Sequence, residues 1–150
     1  MNRDRSRRGT EREGPSGPLD VPTLEVLARR ATTRSLVSNW EFRPDSISPR
    51  VLELRLDEKR YPASVNGSRL DVRWFVGGDY TIHYLEASDD RTWQCRWDRH
   101  PKPTAPRKHF HPPPNASSSV DPSSLESDHH LGVLFDVLEY VETRIRERHE

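Results

Sequence analysis

Hydrophobic and polar residues alternate with a period of two along three consecutive stretches, residues 68–76, 80–86 and 91–98. This period is typical of half-buried β-strands, so the sequence predicts an antiparallel meander with one side facing a core. The predicted core side carries Leu70, Val72, Trp74, Val76, Tyr80, Ile82, Tyr84, Trp93, Cys95 and Trp97. Cys95 stands between two tryptophans in this pattern, which favours a buried structural thiol over a nucleophile.

The first turn of the meander is predicted to be the three-residue loop 77–79, Gly-Gly-Asp. A loop of this length places Trp74 opposite Ile82. The same register places Arg73 opposite His83, and it keeps the apolar residues of both strands on one side of the sheet.

A further strand is predicted over residues 51–56, where leucines alternate with charged residues. Asn66-Gly67 is a strong signal for a hairpin turn ahead of the meander. Pro62 restricts residues 61–65, the neighbour across that turn, to a sheet edge. The sheet is therefore expected to have three or four strands.

A helix is predicted near the C-terminus, where apolar residues recur at intervals of three and four: Leu131, Leu134, Phe135, Leu138, Val141 and Ile145. The Asp121-Pro122 pair suits a helix start, so the helix is expected over residues 121–148. Gly132 favours a later start near Ser127 or Asp128, because an interior glycine costs about 1 kcal/mol relative to alanine.

Residues 22–36 also allow a short N-terminal helix with Asp20 close to its start. Together these elements predict an α+β fold, in which a three- or four-stranded antiparallel meander sheet is packed by a C-terminal helix. Residues 1–20 are predicted to be a disordered basic tail, and residues 21–150 a single α+β domain. Prolines are dense in the Pro/His-rich loop at about residues 99–124, so no regular element is expected there.

Composition and charge narrow the class of protein. Only 31% of residues are apolar and the formal net charge is zero. Residues 1–50, 51–112 and 113–150 carry net charges of +3, +2 and −5, so a mildly basic region precedes an acidic C-terminal helix. A single cysteine excludes an internal disulfide and fits the reducing cytoplasm. No stretch approaches the roughly 20 apolar residues of a membrane helix, and no secretory signal is present, so a cytoplasmic protein without membrane contact is expected.

The candidate chemistry is concentrated between Arg96 and His111, where three imidazoles stand among arginines and lysines. One hypothesis is RNA cleavage without a metal or other cofactor. In it, His100, His109 and His111 supply a base and an acid, a cationic side chain such as Arg96 stabilises the phosphorane, and Asp98 orients one imidazole. In a second hypothesis the two later histidines bind a metal with help from His100 or Asp98. In a third, the loop is merely solvated.

Five further residues are predicted to bind RNA phosphates, and they are Arg73 and His83 on the polar side of the sheet and Arg99, Arg107 and Lys108 in the loop. The alternative for the polar side is an ordinary solvent-facing surface with mixed charges.

Three segments carry a resemblance to a known family: Leu70-Asp71-Val72-Arg73-Trp74-Phe75, Tyr80-Thr81-Ile82-His83-Tyr84 and Cys95-Arg96-Trp97-Asp98. Together with His109, His111 and the final helix, they make residues 68–145 similar to the TumE-type toxins of prokaryotic toxin–antitoxin pairs. The chain also resembles haloarchaeal proteins of similar length, which implies an archaeal source.

The resemblance implies a toxin that binds or cleaves RNA and a cognate antitoxin protein that restrains it through the acidic last helix. The residues expected to be catalytic are Arg96, Asp98, His100, His109 and His111. The alternative, from a different class, is a non-catalytic module that recognises RNA or a protein through the same sheet.

Overall fold

The computed structural model describes Pro15, residues 17–101 and residues 106–150, so most of the predicted tail (residues 1–14 and 16) lies outside the described residues. In chain order the elements are helix α1 (Val21–Ala31), strands β1 (Val37–Arg43) and β2 (Val51–Leu56), a 3-10 helix (Glu58–Arg60), strands β3 (Val65–Trp74), β4 (Tyr80–Ser88), β5 (Thr92–Arg99), β6 (Lys108–His111) and β7 (Asp121–Pro122), and helix α2 (His130–His149).

The strands of the described chain form one antiparallel sheet whose order follows the sequence from β1 to β7. The predicted α+β fold with a C-terminal helix is confirmed, but the sheet has seven strands, so the prediction of three or four is wrong. β1 gives no period-two signal, because its two buried residues, Val37 and Phe42, are separated by four exposed ones. β6 and β7 lie inside the segment where no regular element is expected.

The register between β3 and β4 differs from the predicted one by two residues. Trp74 pairs with Tyr80, and Arg73 pairs with Thr81, so Arg73 does not oppose His83 and Trp74 does not oppose Ile82. The loop spans residues 75–79, and Gly78 has a φ of +90° in it. A shift of two residues preserves the alternation, so residues within the strands keep their predicted sides. Val76 is the exception, because it lies in the loop and is exposed, so its predicted place on the core side is wrong.

Asn66-Gly67 is not a turn, because both residues lie inside β3. The register with β4 shifts between Val65 and Gly67, so the Asn-Gly signal marks an irregularity within the strand. Residues 61–65 do not form the predicted edge strand. The chain there follows the 3-10 helix Glu58–Arg60, whose N-cap Asp57 accepts from the backbone N–H of Lys59.

Helix α2 begins at His130, so its predicted start at residue 121 is wrong and the later alternative is nearer. Asp121 and Pro122 instead form β7 beside β6. A side chain at Gly132 would meet the Ser127 side chain, which packs against the first turn. The chain before the helix therefore approaches it at a position where glycine leaves room.

The two helices cover the same side of the sheet, which we call the core side. The core aromatic residues include Tyr80, Tyr84 and Trp97, and Tyr140 of α2 meets the Trp97 ring edge-on at 5.0 Å. Cys95 is fully buried there, as predicted. The opposite side is called the polar side, and on β3 to β6 it carries Asp71, Arg73, Thr81, His83, Arg96, Asp98, His109 and His111.

Candidate functional site

The β5–β6 pairing brings the candidate residues together. Asp98 pairs with His109 and Arg96 pairs with His111. Their neighbours Trp97 and Phe110 contact each other on the core side, with ring centroids 5.3 Å apart. Because side chains alternate along a strand, the charged and imidazole groups all project to the polar side.

One carboxylate oxygen, Asp98 Oδ2, is the centre of the arrangement. His111 Nε2 lies 2.9 Å from it, His109 Nε2 3.5 Å and His100 Nε2 3.6 Å. Arg96 Nε donates to the same oxygen at 3.0 Å. We refer to these five residues, Arg96, Asp98, His100, His109 and His111, as the Asp98 cluster. All five residues predicted to be catalytic therefore meet at one point.

Backbone carbonyls of the Pro-rich loops fix the orientation of each imidazole. The Nδ1 atoms of His100, His109 and His111 lie 3.0, 3.1 and 2.8 Å from the carbonyl oxygens of Pro101, Pro106 and Ser117, respectively. A carbonyl only accepts, so each Nδ1 is the donor in its contact. The Nε2 atoms are therefore the ones directed toward Asp98.

The cluster is closed to solvent on most sides. Asp98 is 2% exposed and His109 is fully buried, whereas the Arg96 side chain is 35% exposed and marks the solvent side. Burial lowers the pKa of His109, against the opposing effects of the Pro106 carbonyl and the Asp98 charge. Asp98 Oδ1 and His109 Nε2 have no hydrogen-bond partner among the described residues.

The polar side extends away from the cluster in rows that cross the sheet. Arg73, Thr81, Asp98 and His109 are successive neighbours on β3, β4, β5 and β6. Arg73 is exposed and forms no ion pair with a described residue. His83, in the adjacent row, is 2.8 Å from the Gln94 side-chain oxygen through Nε2, and burial lowers its pKa.

The other three predicted RNA-binding residues lie outside the Asp98 cluster, and their side chains stabilise the fold through ion pairs and hydrogen bonds. Arg99 and Arg107 both donate to the buried carboxylate of Asp79, at 3.1 and 2.8 Å. Lys108 donates to the Asp128 side chain at 3.0 Å and to the Leu125 carbonyl. Arg99 and Arg107 thus connect the β3–β4 loop to β5 and to the chain before β6, and Lys108 connects β6 to the segment before α2. Arg99 and Lys108 pair at strand positions that alternate with those of the cluster, whereas Arg107 precedes β6.

The sequence did not predict that three arginines of the polar side would gather around one carboxylate. Arg43, Arg55 and Arg69 come from β1, β2 and β3 and surround Glu53, with nitrogen–oxygen distances of 3.6, 2.8 and 3.7 Å. Burial alone raises the pKa of Glu53, but the hydrogen bond from Arg55 and the charges of all three arginines together outweigh it and lower the pKa. The pairing of β1 with β2 assembles this group, and β1 has no alternation to predict it.

Three groups of the cluster have the composition of a metal site. The ligand atoms of Asp98, His109 and His111 all lie within 4.8 Å of one another. Cys95, by contrast, is on the core side, and burial raises the pKa of its thiol to about 12. A thiolate therefore plays no part in the chemistry of this site.

No helix of the described chain is long and apolar enough to cross a membrane.

Comparison with known proteins identifies the family to which the chain belongs. No curated protein and no solved structure matches the sequence. The family model described as Toxin TumE matches residues 24–145, which is more than half of the chain and includes every strand and the whole Asp98 cluster. The chain therefore belongs to the TumE toxin family.

Proposed function

We propose that the chain is a toxin that acts by cleaving RNA, with the Asp98 cluster as its reaction centre. The observation that carries this proposal is the convergence of three imidazoles and Arg96 on one carboxylate oxygen. RNA cleavage needs groups that hold or move protons and a cation near the phosphate charge. Arg96 lies at the solvent side of the cluster, so a substrate phosphate meets its guanidinium first.

The polar side of the sheet supports the same substrate class. Arg73 lies two strands from Asp98, which corresponds to about 10 Å at the usual strand spacing. One short single strand of RNA can therefore contact Arg73 and Arg96 together. Contacts of this kind with phosphates position a nucleic acid without selecting its sequence.

A toxin of this family implies a cognate antitoxin. We place its contact surface on the solvent side of α2, where Asp136, Glu139 and Glu142 stand at the spacing of one helix face. This surface is on the opposite side of the sheet from the Asp98 cluster.

A non-catalytic RNA-binding module is the second candidate. The observation that favours it is the burial of His109, which has no exposed surface in the described structure. In that case the polar side binds RNA, and the Asp98 cluster only holds β5, β6 and the loops together.

The test compares cells that express the wild-type chain, the His109→Ala/His111→Ala variant and the His129→Ala/His130→Ala control. The control removes two imidazoles at the start of α2, away from the cluster. We expect the wild type and the control to arrest growth with loss of total RNA, and a neighbouring gene product to relieve the arrest. The cluster variant should permit growth with intact RNA.

Arrest by the folded cluster variant, without RNA loss, would favour the binding module. Normal growth with wild-type protein, intact RNA and no RNA affinity of the purified chain would reject both candidates.

Arg73 gives a prediction for RNA binding alone. Arg73→Gln is expected to weaken binding of single-stranded RNA to a similar degree for all sequences, because a phosphate contact is lost. The slope of log affinity against log salt concentration should become shallower by about 0.7, the value for one phosphate contact on a single strand. Fluorescence anisotropy over a salt series measures both quantities.

Arg91→Gln is the matched control, because Arg91 is 77% exposed on the β4–β5 turn and its substitution also removes one positive charge. Equal slopes for Arg73→Gln and the wild type would contradict the proposed path.

A further inference from the structure

Side chains of the Asp98 cluster are arranged as the ligands of a metal site are, and not only as an acid and a base for proton transfer. We infer that it binds one transition-metal dication of the Zn²⁺ type, with Asp98, His109 and His111 as ligands and His100 within reach as a fourth. This inference goes beyond the proposed RNA cleavage and does not depend on it, because metal binding is measured without RNA.

The spacing of the donor atoms fits such an ion. Zinc binds imidazole nitrogen and carboxylate oxygen at about 2.0–2.2 Å, and tetrahedral angles then put neighbouring donor atoms about 3.3 Å apart. The three Nε2 atoms lie 2.9, 3.5 and 3.6 Å from Asp98 Oδ2. The donor atoms of Asp98, His109 and His111 also lie within 4.8 Å of one another, so small side-chain movements would bring these three around one cation.

The tautomers of the three rings point to the same conclusion. Each Nδ1 donates to a backbone carbonyl, so in the neutral ring Nε2 carries the lone pair. Metal-binding histidines commonly have this arrangement, in which the second nitrogen is held by a carbonyl or carboxylate. The carbonyls of Pro101, Pro106 and Ser117 thus aim three lone pairs at Asp98.

Without a bound cation, the hydrogen-bonding requirements around His109 and His111 cannot all be satisfied. His111 Nε2 lies 2.9 Å from Asp98 Oδ2, which requires a proton on the nitrogen, and 3.0 Å from Arg96 Nη2, which requires a lone pair. His109 Nε2 and Asp98 Oδ1 are buried and have no hydrogen-bond partner among the described residues. A cation at Asp98 Oδ2 would take the lone pairs of both rings and remove the conflict.

Arg96 is the competitor for the same place. Its guanidinium donates to Asp98 Oδ2 and to His111 Nε2, both at 3.0 Å, so a cation can enter only when the guanidinium moves away. The Arg96 side chain is 35% exposed, and it can turn into solvent without disturbing the core. Entry of the metal would therefore release Arg96 toward a bound phosphate.

The donor set selects the class of metal. Imidazole nitrogens suit Zn²⁺, Fe²⁺, Ni²⁺ and Cu²⁺, whereas Mg²⁺ and Ca²⁺ prefer sites made only of oxygen donors. A dication there would polarise a phosphoryl oxygen or lower the pKa of a bound water.

The experiment uses the untagged full chain, treated with a chelator and then titrated with Zn²⁺ by calorimetry and with Co²⁺ by visible absorption. We expect one equivalent to bind, with nitrogen and oxygen ligation bands in the Co²⁺ spectrum. Asp98→Asn, His109→Ala and His111→Ala should weaken binding by at least about 100-fold. The His129→Ala/His130→Ala control should bind as the wild type does.

Arg96→Gln is expected to change the affinity for Zn²⁺ in the opposite direction. Removing the competing charge should tighten Zn²⁺ binding by about tenfold or more, as expected for one nearby unit charge of the same sign. Failure of the folded wild type and of Arg96→Gln to bind either metal would overturn the inference, and so would equal binding by the wild type and His109→Ala. If RNA cleavage fails but these titrations succeed, only the proposed function is rejected.

Discussion

If the chain cleaves RNA as proposed, Asp98→Asn is expected to lower the rate of cleavage by at least about 100-fold, the lower end of what positioned acid–base or metal groups contribute. The carboxylate is the centre of the Asp98 cluster, since Arg96 and three imidazoles approach the same oxygen. An amide in its place is neutral, accepts through one oxygen only and is a poor ligand for a dication. The measurement is the single-turnover rate on labelled single-stranded RNA.

The same substitution should leave the fold intact. Arg96 loses its counter-charge but keeps its contact to His111, and it is partly exposed and can be solvated, so its charge is not left buried. Asp71→Asn is the matched control, because Asp71 lies on the same side of the sheet and is 20% exposed in its pair with Arg69. We expect this control to cleave as the wild type does. A folded Asp98→Asn protein that cleaves within about threefold of the wild type would exclude the cluster as the reaction centre.

The central position of Asp98 could not be deduced from the sequence. Sequence reasoning proposed that it orients one imidazole, whereas it is approached by three. The pairing of β5 with β6 was not predicted, because prolines on both sides of residues 108–111 argue against a strand there. These four residues contain no proline, and their backbone groups remain free to pair with β5.

The Pro-rich loops also help to build the site, in a way that sequence patterns do not reveal. Proline lacks an N–H, but its neighbours in the loop still offer carbonyl oxygens, and Pro101 and Pro106 offer their own. Loop carbonyls without strand partners are available to bind imidazole Nδ1 atoms. The segment in which no regular element was expected therefore supplies the groups that orient His100 and His109.

The meander was predictable because its information is local. Alternation along β3, β4 and β5 assigned each residue to the core or polar side, and a register shift of two residues left that assignment unchanged. The roles of Arg99 and Arg107 were not predictable in the same way. They depend on Asp79, which the sequence presents as a turn residue and the fold buries completely.

The largest effect on stability is expected from Glu86, which lies on the core side of β4 and is 1% exposed. Arg144 of α2 donates to both of its oxygens, at 3.0 and 3.4 Å, and Arg148 approaches within 3.0 Å. The Arg144 guanidinium also lies 3.9 Å from the centre of the Trp93 ring, so it cannot leave without losing that contact. These contacts fasten the last turns of α2 to the sheet.

Glu86→Gln should lower the free energy of unfolding by about 3 kcal/mol, because it leaves two partly buried arginines without a counter-charge. Urea denaturation measures the change, and Glu142→Gln is the control, since Glu142 is 29% exposed and only 3.9 Å from Arg60 at its closest. A loss below about 0.5 kcal/mol would show that solvent compensates the arginines. The Glu86→Gln/Arg144→Met variant should recover part of the loss, because removing both members of a buried pair costs less than removing one. Recovery in the double variant would identify the charge, and not the packing of the Glu86 side chain, as the source of the stabilisation.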